Sequence, residues 1–157
     1  MTKNSDRAII YFDTNPFMYA FEGEDLIAEP VQMLLRALQT RPNCAVTSEL
    51  TLAELLAPVT REGALSPKTR RKIYLDLLIG NDLFLLRPVT REILIETSLL
   101  RITSRLKLPD AIHVVTARRA GCRFFLSNDA DLKDLPADLA RIPPDAAGIQ
   151  RVLEALT

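Results

Sequence analysis

The sequence Ala8-Ile9-Ile10-Tyr11-Phe12-Asp13 sets five consecutive apolar residues directly before an acidic one. An unbroken apolar run of this length indicates a strand buried on both faces, as in a parallel sheet covered by helices. In such sheets, ligands bind beyond the carboxyl ends of the strands. The run therefore predicts a layered α/β protein and places Asp13 at the edge where its site would lie.

Short apolar runs recur along the chain and alternate with segments of helical periodicity. Further strands are predicted at residues 44–47, 83–86 and 123–127, with a weak fifth at 139–142. Helices are predicted at residues 26–38, 49–59, 68–79, 91–105, 109–120 and 145–156, and another starts where Asn15 caps and Pro16 is the first helical residue. Right-handed crossovers between parallel strands then give an α/β fold: three α/β/α layers with a central, mostly parallel sheet of four to five strands. We expect residues 1–157 to form a single domain.

The composition is that of an ordinary globular protein, with 48% apolar residues and a formal net charge of zero. Neutral charge does not support a strongly basic nucleic-acid binder, so any such binding depends on local patches. Residues 1–7 are polar and lack the apolar segment of a signal peptide, and no apolar run approaches the roughly 18 residues of a membrane span. Cys44 and Cys122 lie in or beside apolar runs without a CxxC pattern. They are predicted to be buried, reduced thiols of a cytoplasmic protein.

Two acidic residues follow predicted strands. Asp13 comes directly after the first strand and Asp129 two residues after the fourth, so both fall on the rim where an open α/β sheet places its site. Isolated Asp residues are usually turn formers or helix caps. That interpretation is weakened for Asp13, since Asn15 supplies a good cap, and it stays open for Asp129 in the turn-like sequence Asn128-Asp129-Ala130-Asp131.

Two further acids lie on predicted helices. Glu54 borders an apolar stripe formed by Leu50, Ala53 and Ala57, where an uncompensated charge would be costly. A boundary Glu that reaches outward to solvent is the alternative. Asp110 opens a helix, where the helix dipole favours an acid without any functional role. Each acid taken alone therefore has an adequate structural explanation.

Four stretches containing these acids resemble, in order and spacing, the signatures of the PIN domain. They are YFDTN at residues 11–15, TLAELL at 51–56, LPDAIHVVTA at 108–117 and SNDADL at 127–132. The similarity covers nearly the whole chain and is greatest to VapC-like toxins. It implies a metal site formed by Asp13, Glu54, Asp110 and Asp129, with Ser127 as the small hydroxyl residue of the family. Asp131 is an alternative or additional fourth acid, and Leu132 stands where an aromatic residue is common.

The resemblance implies a metal-dependent endoribonuclease that leaves a 5′-phosphate and a 3′-hydroxyl. It also implies a homodimer and, for a toxin, a cognate antitoxin that occludes the site. The chemistry agrees, because a divalent ion neutralises charge on phosphodiester oxygens and lowers the pKa of a bound water. Carboxylates without Cys or His partners suit Mg²⁺ or Mn²⁺ and argue against zinc.

Other polar residues have competing interpretations. The basic residues that precede Asp110 are candidates for binding RNA phosphates, although a solvated helix face is the default for such charges; they are Arg101, Arg105 and Lys107. His113, one turn after Asp110, is predicted to be a packed or hydrogen-bonded helix residue rather than a site residue. Asn15 is predicted to cap and to assist a site carboxylate. A second basic run is predicted to lie on the surface; it comprises Lys68, Arg70, Arg71 and Lys72.

Three other functions compete with the nuclease. A haloacid-dehalogenase-like phosphatase needs a second acid two residues after Asp13, where this chain has Asn15. A receiver domain needs an Asp at the end of its third strand, and Leu86-Arg87-Pro88 supplies none. The serious alternative is a non-catalytic PIN-like RNA-binding or scaffolding module. The presence of all four acids favours catalysis, whereas the neutral net charge leaves the non-catalytic module as an alternative.

Overall fold

The computed structural model describes residues 8–133 and 135–157; the segment 1–7, considered above for a signal peptide, lies outside them. The strands are β1 (Ile10–Phe12), β2 (Ala45–Ser48), β3 (Phe84–Arg87), β4 (Phe124–Leu126) and β5 (Ala140–Ile142). The helices are α1 (Thr14–Glu22), α2 (Asp25–Leu38), α3 (Glu49–Leu55), α4 (Pro67–Leu75), α5 (Arg91–Thr103), α6 (Leu108–Arg119) and α7 (Ala146–Ala155). A π-helical turn (Asp76–Gly80) continues α4.

The five strands form one parallel sheet in the order β3-β2-β1-β4-β5. Strands β2 and β3 lie on one side of β1, and β4 and β5 lie on the other side. The switch point of the strand order therefore lies between β1 and β4, where an open α/β sheet binds its ligands. The predicted α/β fold is confirmed, including the weak fifth strand, which pairs with β4.

The two faces of the sheet bury separate apolar clusters. Side chains alternate along a strand, so Ile10 and Phe12 pack into the cluster that contains Phe17 of α1. Tyr11 packs into the opposite cluster with Val114 of α6. This alternation directs the Tyr11 side chain toward α6, which also carries Asp110.

Two helices end earlier than the periodicity indicates. Helix α3 ends at Leu55 rather than near residue 59, because Pro58 disfavours helical geometry at the preceding Ala57. Helix α5 ends at Thr103 rather than at residue 105, and Ser104 is extended. The predicted burial of Cys44 and Cys122 is confirmed, and neither forms a disulfide.

The basic run on α4 was predicted to be solvent-exposed, and for Arg70 this is wrong. Arg70 is buried, with its Nε atom 3.0 Å from Oε1 of Glu22 at the end of α1. The other basic residues of the run are exposed; they are Lys68, Arg71 and Lys72. Only a long-range partner distinguishes Arg70 from its neighbours, and no local pattern reveals it.

Candidate active site at the switch point

Asp13 and Ser127 meet where β1 and β4 end. The Oδ1 atom of Asp13 accepts a hydrogen bond from the Thr14 amide at 2.8 Å, and Oδ2 accepts one from Ser127 Oγ at 2.7 Å. Asp13 is therefore the N-cap of α1, and the prediction that Asn15 caps this helix is wrong. The cap coincides with the strand end because an N-cap residue needs the extended backbone that a strand already has. Asn15 is exposed in the first turn, and Pro16 is the third helical residue.

Ser127 also connects Asp13 to Asp129. Its Oγ atom accepts a hydrogen bond from the Asp129 amide at 3.1 Å. The Asp129 carboxylate in turn accepts one from the amide of Asp131 at 2.9 Å, which closes a local turn. In this arrangement Asp129 is half-buried beside Asp13, and Asp131 is exposed.

Glu54 reaches the same place from α3. Its Oε1 atom accepts hydrogen bonds from Thr14 Oγ1 at 2.9 Å and from His113 Nε2 at 2.6 Å. Burial raises the pKa of this carboxyl, but the hydrogen bond and charge of His113 and the bond from Thr14 outweigh it, so the pKa is lowered. The prediction that Glu54 borders a buried apolar stripe is wrong, because the buried residues of α3 are Thr51 and Leu55.

His113 is packed and hydrogen-bonded, as predicted, and it also reaches the acidic residues, which the sequence did not favour. The ring is buried on α6, and its Nδ1 atom lies 2.6 Å from the Tyr11 hydroxyl. Its Nε2 atom contacts Glu54 and lies 3.9 Å from Oδ1 of Asp13. The signal available in the sequence was its spacing, because residues three apart on a helix are neighbours on one face.

Asp110 completes an acidic group whose other members are Asp13, Glu54 and Asp129. Burial, followed by the charges of Asp13 and Asp129, raises the pKa of its carboxyl. These carboxylates are thus near enough to disfavour one another's charge in the absence of a cation. Within residues 8–133 and 135–157, no three His, Cys, Asp or Glu side chains already converge as a metal-binding group.

The donor set fits a hard divalent cation. Asp13, Glu54, Asp110 and Asp129 offer oxygen atoms only, as Mg²⁺ and Mn²⁺ prefer. Both nitrogens of His113 are engaged by Tyr11 and Glu54. In this arrangement the histidine is not free as a zinc ligand.

A cleft of about 420 Å³ lies beside the acids and is bordered by basic side chains. Its lining comprises Arg105, Leu106, Lys107, Asp110, Asp129, Asp131, Leu132 and Lys133. Two of the three predicted phosphate-binding residues are present, and Lys133 is one that the sequence did not single out. Arg101 does not line the cleft; its Nε atom donates to the Leu106 carbonyl at 3.3 Å. A larger groove of about 670 Å³ runs beside α2 and contains none of the four acids.

Comparison with known sequences gives one family. A model described as PIN domain matches residues 10–138. The curated proteins give no significant match.

Several solved structures share the fold. The DNA-bound VapBC of Salmonella typhimurium has a TM-score of 0.63 at 15% identity, over 87% of this chain and 98% of that one. FitAcB of Neisseria gonorrhoeae has a TM-score of 0.60 at 19% identity, over 87% and 98%. A toxin–antitoxin complex from Klebsiella pneumoniae has a TM-score of 0.57 at 21% identity, over 83% and 95%.

Proposed function

The chain belongs to the PIN domain family, and we propose that it is a metal-dependent endoribonuclease, the toxin of a toxin–antitoxin pair. The observation that carries this proposal is the acidic group at the switch point. There Ser127 bonds to Asp13 and Asp129, and Asp110 and Asp129 line one cleft. Burial and the neighbouring carboxylates raise the pKa of Asp110. A group of charges that repel one another is unfavourable unless a cation compensates them.

Asp13, Asp110 and Asp129 would hold Mg²⁺ or Mn²⁺, and Glu54 would hold the ion or position the attacking water. A divalent ion at such a site neutralises charge on the phosphate oxygens and makes a bound water more acidic. Ser127 and the Thr14 amide fix both oxygens of Asp13 from the protein side. The products would carry a 5′-phosphate and a 3′-hydroxyl.

We propose Asp129 rather than Asp131 as the fourth acid. Ser127 connects Asp129 to Asp13, and the charge of Asp129 raises the pKa of Asp110. The exposed Asp131 contributes its amide to the Asp129 carboxylate and so supports the turn.

The first prediction is metal-dependent cleavage of single-stranded or loop RNA. Purified protein should cut RNA with Mg²⁺ or Mn²⁺ and lose that activity in excess chelator, because the carboxylates supply no nucleophile of their own. Restoration by added Mn²⁺ is the control against irreversible damage. Equal activity with and without chelator would contradict the metal mechanism. Absence of cleavage under every condition would favour the non-catalytic module. This module is the second candidate function because no preformed metal-binding group is found among the described residues.

The cleft suggests how RNA would be held. Arg105, Lys107 and Lys133 line it together with Asp110 and Asp129. Cations beside the acids compensate the repulsion between carboxylates and a phosphate backbone, and such contacts bind without reading sequence.

The second prediction concerns these cations. Replacing Arg105, Lys107 and Lys133 with Ala should weaken binding similarly across RNA sequences. It should also flatten the log–log salt dependence by about 0.7 per lost contact on single strands. Arg101→Ala should change the slope little, since its guanidinium is tied to the Leu106 carbonyl. The matched control removes the exposed Lys68, Arg71 and Lys72 instead, and an equal slope change there would assign the effect to overall charge.

We further propose an antitoxin partner, a homodimer and a cytoplasmic location. The antitoxin is supported by the fold shared with toxin–antitoxin complexes. The homodimer is supported by exposed apolar residues at helical spacing on α5, which are Ile95, Leu99 and Ile102. Free, buried thiols and an RNA substrate suit the cytoplasm. None of the helices in the described part of the chain is long and apolar enough to cross a membrane.

A further inference from the structure

A chain of hydrogen bonds runs from the core to the acidic group. The Tyr11 hydroxyl lies 2.6 Å from His113 Nδ1, and His113 Nε2 lies 2.6 Å from Oε1 of Glu54. Thr14 Oγ1 donates to the same Glu54 oxygen at 2.9 Å. Both bonds to Glu54 fall on Oε1, so Oε2 is left for a metal ion or its bound water.

The direction of these bonds follows from the chemistry of the groups. An ionised carboxylate can only accept hydrogen bonds. The His113 Nε2 atom, which lies close to it, must therefore carry a hydrogen and act as the donor of this hydrogen bond. When the ring is neutral, Nδ1 is an acceptor and the Tyr11 hydroxyl donates to it; when the ring is charged, Nδ1–H donates to the Tyr11 oxygen. In either state Tyr11 holds the ring from the core side and Nε2–H is the donor that faces Glu54.

The core holds this arrangement firmly. Tyr11 is fully buried on β1, and its ring stacks on Phe125 of β4 with centroids 5.2 Å apart and planes 11° apart. The His113 side chain is 1% exposed. The Glu54 side chain is 34% exposed and would sample several rotamers without a fixed donor.

We propose that His113, braced by Tyr11, is a positioning residue that holds Glu54 by its Oε1 atom and so orients the carboxylate for the metal site. The inference rests on the proposed function and adds two residues that are not themselves acids. Groups that orient metal ligands typically change metal affinity or activity by about 10–100-fold when removed.

The matched pair His113→Gln and His113→Asn tests the proposal. The longer Gln side chain can place an amide N–H near the original Nε2 position and donate to Glu54. Asn can only reproduce an acceptor near Nδ1 for Tyr11. We expect Asn to weaken Mn²⁺ binding, measured by titration calorimetry, by about 10–100-fold, and Gln to retain most of it. Tyr11→Phe should fall between wild type and Asn. Equal Mn²⁺ affinity of the Asn variant and wild type would overturn the role of His113, and unchanged affinity in Tyr11→Phe would remove Tyr11 from the arrangement.

A second measurement needs neither metal nor RNA. His113 is the only histidine of the chain, so the long-range ¹H–¹⁵N spectrum of wild type reports this ring alone. We expect Nε2 to carry a proton in the metal-free protein, and a bare Nε2 would overturn the proposal even if the variants fold poorly. Wild type that binds no Mn²⁺ would overturn both the proposed function and this inference. Wild type that binds and cleaves normally, with Asn equal to Gln, would overturn the inference alone.

Discussion

Asp13→Asn and Asp110→Asn should each abolish detectable RNA cleavage while leaving the protein folded. Several kcal/mol of transition-state stabilisation depend on a metal ion at such a site. Losing about 3–5 kcal/mol of it corresponds to a rate loss of about 10²–10⁴-fold. Either substitution removes one carboxylate from the acidic group and keeps the size of the side chain.

The metal-free variants should be as stable as wild type or more stable. Asn is as good an N-cap as Asp, so Asp13→Asn keeps the bond from the Thr14 amide. Its amide NH2 can donate to Ser127 Oγ, which accepts as well as donates, in place of the bond that Ser127 gives to Asp13 Oδ2. Burial and neighbouring charges raise the pKa of Asp110, so its ionised form is disfavoured in the folded protein. A carboxyl with a raised folded pKa costs stability at pH values above that pKa, and an amide at this position removes the cost.

Thermal melts with Mn²⁺ distinguish a metal site from an inert scaffold. Wild type should gain about 2.7 kcal/mol at a Mn²⁺ concentration one hundred times the dissociation constant, and the two Asn variants should gain clearly less. Asp76→Asn is the matched control, because this carboxylate is exposed and its partner is the exposed Lys72. Equal Mn²⁺ shifts in wild type, both site variants and the control would show that the acids share no metal ion.

The parts of the candidate site that could be predicted from the sequence are those that depend on local order along the chain. Apolar runs identify the buried strands, and an acid directly after a strand must lie on the ligand-binding edge of a parallel sheet. This is why the sequence alone places Asp13 and Asp129 at that edge. The resemblance added Glu54 and Asp110, whose positions on helices have ordinary local explanations.

The parts that the sequence did not predict depend on contacts between distant residues. Glu54 and His113 are 59 positions apart and meet because α3 and α6 end up beside the same strand edge. The direction of a ring or a carboxylate toward a partner leaves no periodic pattern. The prediction that Asn15 caps α1 is wrong for a different reason. Asn15-Pro16 is a good local start signal for a helix, but Asp13 at the end of β1 already has the extended backbone that an N-cap requires.

Glu22→Gln should be strongly destabilising, although Glu22 lies outside the site. Its carboxylate accepts hydrogen bonds from Arg70 and from the Tyr74 hydroxyl, and the Glu22 and Arg70 side chains are only 2% and 4% exposed. Breaking a buried ion pair from one side leaves an uncompensated charge and costs about 3–5 kcal/mol. For a domain of this size, that corresponds to a fall in melting temperature of roughly 6–20 °C.

The cost should come from stranding Arg70 rather than from losing the attraction itself, and a double variant separates the two. Glu22→Gln combined with Arg70→Met removes both charges, and replacing a buried pair with apolar groups is often close to neutral. We therefore expect the double variant to melt above Glu22→Gln alone, measured by differential scanning calorimetry. Arg71→Met, at an exposed neighbour on α4, should stay within about 0.5 kcal/mol of wild type. A double variant less stable than Glu22→Gln would show that Arg70 stabilises α4 through its bond to the Ala57 carbonyl more than through Glu22. Cleavage per folded molecule should persist in Glu22→Gln, because the pair anchors the end of α1 opposite Asp13 and touches none of the four acids.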